Sequence, residues 1–257
     1  MFRNLQAQVR TLHDKFPNSD VSSCVLHGGV SDAISSEAGL WQANLLVIGC
    51  HHRQGLAAWV VGSLSARVTR NSSCSLLIIP MPDLNKSLES NVMKILCAVD
   101  DSPCSEAAFE HLLTDQSWPR GSEFKIISII GPIMGEFPLG IPYVTDMAEA
   151  EEALRKKRKE MVQAKVALTK VKYPGSTVEG TTLEGFPTET ILHTADWWHA
   201  DLIVIGSHGR QGLSHFLLGS VSEAVARRAR CSVEIIRAGA NGPELTPNNA
   251  EPTSTRR

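Results

Sequence analysis

The stretch Asp201-Leu-Ile-Val-Ile-Gly206-Ser-His-Gly209, followed after nine residues by Gly219-Ser220, decides the fold. Its front half is a short, β-branched apolar run that ends in glycine, the pattern of a buried strand. Glycines at a strand end let the backbone curl and approach a ligand with no Cβ in the way. A helix opening at Gly219-Ser220 presents unpaired amides, and those attract anionic oxygens. The spacing Gly-x2-Gly-x9-Gly-Ser therefore reads as a phosphate cradle between a strand and a helix. Ser220 and Ser222 add hydroxyl groups in the first helical turn, where each has the alternative role of a helix cap.

Working outward, the same run occurs earlier as Asn44-Leu-Leu-Val-Ile-Gly49, so that Gly49 and Gly206 are 157 residues apart. At that offset Trp41 matches Trp198, Arg53-Gln-Gly-Leu56 matches Arg210-Gln-Gly-Leu213, Gly62-Ser63 matches Gly219-Ser220, and Cys74-Ser75 matches Cys231-Ser232. Such a gapless series is an internal repeat. Met1 falls opposite Arg158 while the second copy begins near Val92, so the first copy lacks about 65 residues of a full repeat. The organisation expected is a partial repeat over 1–80, a polar linker over 81–90, a complete domain over 91–237 and a disordered tail over 238–257.

Within the complete copy, strands are predicted at Val92–Val99, Phe124–Ile130, Thr177–Leu183, Leu202–Ile205 and Ser232–Ile236. Helices are predicted at Ser105–Thr114, after the turn and helix-start signature Asp100-Asp-Ser-Pro103, and at Asp146–Lys172, Pro187–His199 and Gly219–Arg228. The glycines and prolines of Gly131–Pro142 mark a long loop. Apolar strands alternating with helices imply an α/β fold, a parallel sheet covered on both faces with its ligand crevice at the carboxyl ends of the strands.

Composition bounds the partners. With 25 basic and 27 acidic residues, a net charge of -2, no global field favours nucleic acid or an anionic membrane. No apolar run reaches transmembrane length and the first residues carry no signal-peptide core, which points to the cytoplasm. The six cysteines include no Cys-x-x-Cys pair, so buried thiols are expected rather than a zinc or redox site.

The motif after the fourth strand resembles the ATP-binding signature of the universal stress protein family, and Ala98-Val-Asp-Asp-Ser102 resembles that family's first-strand end. The resemblance implies an open five-stranded sheet of order 3-2-1-4-5. It also implies binding roles for Asp100, Gly206, Gly209, Gly219, Ser220, Val221 and Ser222, with Val99, Ile129 and Ile205 as apolar walls around the base. The ligand implied is ATP, with Mg2+ as an accompanying ion. For Asp100 the competing reading is a cap on the first helix. His208, Arg210 and His215 lie in the loop, where solvated charges are common, and stay outside the candidate set. In the first copy His52 stands opposite Gly209. If that position takes a positive φ, histidine is costly there, and its ring crowds a phosphate; the counterpart of Asp100 is also missing. One ATP per chain follows.

The leading functional expectation is a nucleotide-dependent stress or regulatory protein, in which ATP occupancy orders the Gly135–Tyr143 loop or an oligomer interface and so alters the binding of a regulatory partner. The alternative is an oligomerisation or interaction module of the same family that binds no nucleotide. Enzymatic use of ATP finds little support, because no Gly-x4-Gly-Lys-Ser/Thr loop is present and no lysine lies within Ser207–Leu218. Flavoproteins and adenylating ligases have related sheets, but the x9 spacing suits neither. The strands at Leu45–Ile48 and Ser75–Ile79 are expected to pair with strand five of the complete copy as an internal pseudo-dimer. Any edge left open invites a second chain, so a homo-oligomer is expected.

Overall fold

The computed structural model describes residues 2–50, 67–68, 72–80, 92–115, 117–132, 144–209 and 218–238. The linker over 81–90, nearly all of the tail, the Gly135–Tyr143 loop, Arg210, His215, and His52, Gly62 and Ser63 of the first copy lie outside them.

The first repeat contributes α1 (Phe2–Lys15), α2 (Val30–Leu40), β1 (Leu45–Cys50) and β2 (Ser75–Pro80). The second contributes β3 (Lys94–Ala98), α3 (Pro103–Thr114), β4 (Glu123–Ile130), α4 (Val144–Lys172), β5 (Val178–Glu184), α5 (Pro187–Trp198), β6 (Leu202–Gly206), α6 (Ser220–Arg228) and β7 (Ser232–Ile236). All seven strands form one sheet, ordered β1-β2-β7-β6-β3-β4-β5. Its β7-to-β5 portion is parallel throughout and has the expected order 3-2-1-4-5. β2 joins β7 antiparallel, through Leu76–Ile235, Leu77–Glu234 and Ile78–Val233, as the pseudo-dimer reading anticipates.

Two cores sandwich the sheet. α3 and α4 bury Phe109, Leu112, Val162 and Val166 against Ile95, Cys97, Phe124 and Val204. On the other face α5 and α6 bury Ile191, Ala195, Val225 and Ala226 against Leu96, Ile127, Ile203 and Ile235, and this cluster runs on into Leu76 and Ile78 of the first repeat. Fully burying each such aliphatic chain stabilises by about 1.5–3 kcal/mol, so the shared cluster binds the repeats into one unit. The repeat symmetry extends to the backbone: Gln42 and His199, equivalent residues just beyond α2 and α5, both adopt left-handed φ of 53° and 55°.

The first repeat departs from its partner at residues 21–27, which the offset sets opposite β5 yet which form no strand. The reason is local, because β5 hydrogen-bonds to β4 alone and, among the described residues, the sheet holds no first-repeat counterpart of β4. Without that neighbour the backbone groups of 21–27 have no ladder to join. Every cysteine is a free thiol, but only Cys50, Cys74 and Cys97 are buried, and Cys24 is exposed.

Candidate functional site

The carboxyl ends of β3, β4 and β6 and the start of α6 surround a cavity of about 730 Å³. All ten candidate residues, Val99, Asp100, Ile129, Ile205, Gly206, Gly209, Gly219, Ser220, Val221 and Ser222, line it. They come from segments up to 123 residues apart in sequence, brought together by the order in which the strands are laid down. Val99, Ile129 and Ile205 are buried and make the apolar wall. Ser105, Pro132, Leu154 and Ile191 also line the cavity and escape the sequence reading, since nothing in their local pattern separates them from ordinary core or turn residues.

Asp100 is held by the turn that opens α3. Its amide donates to Ser105 Oγ at 2.8 Å, and its Oδ1 accepts from the Ser102 amide at 3.0 Å and lies 2.6 Å from Ser102 Oγ. The cap of α3 is Ser102, whose Oγ accepts from the Ser105 amide at 3.2 Å, with Pro103 in the first turn. The capping alternative for Asp100 is thereby replaced: its carboxylate positions the cap. Its other oxygen, Oδ2, would lie 3.3 Å from a Cβ built on Gly209 and so faces the glycine loop. Ser102 Oγ also lies 3.2 Å from the carbonyl of His208, tying this turn to the loop. The Asp-Asp-Ser-Pro signature pointed to a helix start, and Ser102 was its informative member. Behind it, buried Arg158 reaches from α4 to Asp101 at 3.0 Å, with Lys157 at 3.5 Å from the same carboxylate.

The glycines act differently from one another. Gly206 faces α3, where an added Cβ would come within 2.6 Å of the Cys104 carbonyl group, so its missing side chain serves strand–helix packing. Gly209 does not have a positive φ, so the strain argument for His52 does not apply at that position; the cost of a side chain is its crowding of Asp100. At Gly219 an added Cβ would lie 3.1 Å from the Ser207 carbonyl oxygen, and the Gly219 amide already donates to that oxygen at 2.8 Å. Ser222 Oγ is buried and turned inward, 2.7 Å from the same carbonyl and 2.9 Å from that of Gly219. Neither the Gly219 amide nor the Ser222 hydroxyl is therefore presented to a ligand.

The first-turn amides of α6 remain. The amides of Ser220, Val221 and Ser222 open α6, where helix geometry provides no intrahelical acceptor, and no side chain caps them. They bring the positive end of the helix dipole to the cavity. Among the described lining residues Asp100 is the one carboxylate, and no lysine or arginine joins it. The arrangement can hold an extended ligand with an apolar plane, hydroxyl groups and an anionic end. In such a ligand, hydroxyls would donate to Asp100 and the anion would meet the backbone amides. No group of three or more metal-binding side chains occurs among the described residues, so a divalent ion here would depend on oxygens of the ligand.

Comparison with known proteins gives the same architecture. The model of the universal stress protein family matches residues 3–80 and 91–237. A universal stress protein of Mycobacterium tuberculosis is 29% identical over 197 residues, 76% of this chain and 62% of that protein. The chain thus spans about three fifths of the length of the curated relatives it first matches. A universal stress protein structure from Archaeoglobus fulgidus superposes with a TM-score of 0.54 at 20% identity, over 91% of this chain and 75% of that one. Another, solved in complex with cAMP, has a TM-score of 0.39 at 20% identity, over 56% of this chain and 96% of the other.

Proposed function

The chain belongs to the universal stress protein family, and from that premise we propose that it binds one ATP in the cavity below α6 and works as a nucleotide-dependent regulatory protein. The observation that carries this reading is the set of uncapped first-turn amides of Ser220, Val221 and Ser222 opening onto a cavity walled by Val99, Ile129 and Ile205. In the proposed pose the base lies against that wall and the ribose hydroxyls donate to Asp100 Oδ2. The phosphates meet the α6 amides and the loop that begins at Gly209. Mg2+ would arrive with the phosphates and neutralise part of their charge. ATP serves here as a ligand whose occupancy shifts a conformational balance, with the cytoplasm as the proposed setting.

Mass spectrometry of nucleotide released from freshly purified protein, with calorimetric titration of ATP, AMP and cAMP, tests the proposal. ATP should co-purify or bind with 1:1 stoichiometry. Gly209→His, which copies the first repeat, should weaken binding at least about tenfold, the equivalent of about 1.4 kcal/mol, by filling the space beside Asp100. A protein that neither carries nucleotide nor takes it up would overturn the reading. The competing reading, an interaction module without nucleotide, is favoured by the exposed apolar face of β1, where Val47 is 53% exposed.

A further inference from the structure

Among the described residues Arg158, on α4, is the largest fully buried side chain, 1% exposed. Burying a guanidinium is costly unless its nitrogens find acceptors. Nη2 has one, Asp101 Oδ1 at 3.0 Å, but Nε and Nη1 have no hydrogen-bond partner among the described residues. The hydroxyls that the sheet turns toward α4 do not meet the need. Ser128 and Thr182 are paired across β4 and β5, on the face packed by Val162 and Val166 of α4, and their oxygens are likewise buried without a bond. Lys165, two turns further along the helix, shows the contrast. It too is buried, yet its Nζ lies 2.6 Å from Glu106 Oε2 and 4.1 Å from the centre of the Phe109 ring. Packing alone therefore does not account for an arginine at 158, where an unbranched apolar chain would fill the space with no polar group to satisfy.

What the guanidinium does provide is a connection. Asp101 sits in the turn that holds Asp100, whose Oδ1 accepts from the Ser102 amide at 3.0 Å. One turn before Arg158 on α4, Leu154 lines the same cavity as Asp100. The contact between Arg158 and Asp101 thus fixes two walls of that cavity relative to each other, one from α4 and one from the turn between β3 and α3. Lys157 also reaches Asp101, at 3.5 Å, but from an exposed position where solvent screens the attraction. With the nucleotide reading of the cavity as premise, we infer that Arg158 is a positioning residue. Through Asp101 it holds the Asp100 carboxylate in register with the α4 wall, and its under-bonded guanidinium is carried at a cost in stability. Removing that guanidinium strands no buried charge, because the Asp101 side chain is 31% exposed and keeps Lys157. Ligand affinity then falls on loss of Arg158 while stability does not.

Arg158→Met and Arg158→Lys separate positioning from packing. In calorimetric titration with ATP, Arg158→Met should bind at least about tenfold more weakly than the wild type. Arg158→Lys, which keeps a cation for Asp101 but not the planar fork, should recover part of that loss. The urea midpoint of Arg158→Met should equal or exceed that of the wild type. Unchanged ATP affinity overturns the inference, and so does a midpoint that falls together with affinity, which would make Arg158 a structural residue. A wild-type chain that takes up no ATP would refute the nucleotide reading instead, and a measurement without ligand then judges Arg158. The Asp100 and Ser102 amides donate to Ser105 Oγ and Asp100 Oδ1, and in Arg158→Met they should exchange at least about tenfold faster while 202–206 is unchanged. Equal exchange at those two amides would show that the turn keeps its geometry without Arg158, and would overturn the positioning role.

Discussion

Gly206 and Gly49 hold the same place in the two repeats and stand in opposite surroundings. The Cβ that alanine would add at Gly206 falls 2.6 Å from the carbonyl carbon and oxygen of Cys104 and 2.7 Å from the Ser105 amide nitrogen, all main-chain atoms that cannot rotate away. Either β6 or the first turn of α3 must shift, so Gly206→Ala should destabilise by about 1–3 kcal/mol. Gly49→Ala meets open space and should change stability by no more than about 0.5 kcal/mol. Urea denaturation of the two variants measures the contrast, and equal effects would show that the α3 contact is not what requires glycine at 206. Because Ser102, the cap of α3, and Ser105 hold Asp100, the Gly206 variant should also weaken the proposed nucleotide binding by displacing that carboxylate. One missing methyl group thus connects strand packing to the geometry of the site.

Among the elements, α3 carries a contact that periodicity could not have announced. His111 Nε2 lies 3.0 Å from Glu234 Oε1 on β7 and 3.9 Å from Asp115, with Glu234 almost fully buried. The Glu234 carboxylate at His111 Nε2, aided by the charge of Asp115 and opposed by desolvation, raises the His111 pKa above its ordinary 6.5. A histidine raised on folding favours the folded state fully below 6.5, and the contribution is lost as pH climbs through the raised value. The urea midpoint should therefore fall as pH rises from 6.5 upward, and His111→Gln should flatten that part of the profile. A wild-type midpoint that rises over the same range would refute the assignment. What could be read beforehand were the elements themselves. The runs around Ile95, Ile126 and Ile203 declared strands, and Asp-Asp-Ser-Pro declared a helix start. That residues 21–27 would lack a neighbour follows from the shortness of the first copy, but which carboxylate His111 would meet 123 residues away was hidden in the sequence. The glycine spacing was legible as a local signal, and the ten cavity residues were named through the family resemblance that this motif carries. The inward turn of the Ser222 hydroxyl and the engaged amide of Gly219 were not legible, since both depend on where the Ser207 carbonyl comes to rest.

At the scale of the whole molecule, the antiparallel seam between β2 and β7 makes one folding unit of two unequal repeats. Leu76, Ile78, Val233 and Ile235 are each at most 2% exposed and belong to the cluster that also contains α5 and α6. The seam is the one sheet contact through which the first repeat reaches the second, and β1 reaches it only through β2. Burial shared across a junction makes its two sides unfold together. Amide exchange under weakly denaturing conditions should then give β1 and β2 amides and β6 and β7 amides nearly equal opening free energies. Ile78→Asp places a carboxylate opposite Val233, inside an apolar cluster, a change that costs several kcal/mol in the joined state. The expected result is separation. Exchange across 45–50 and 75–80 should accelerate at least about tenfold relative to 202–206, while the β3–β4–β5 portion, which is not paired with β2, and the cavity at its strand ends keep most of their protection. Uniform acceleration in every strand would instead mean that the second repeat depends on the first for its own stability.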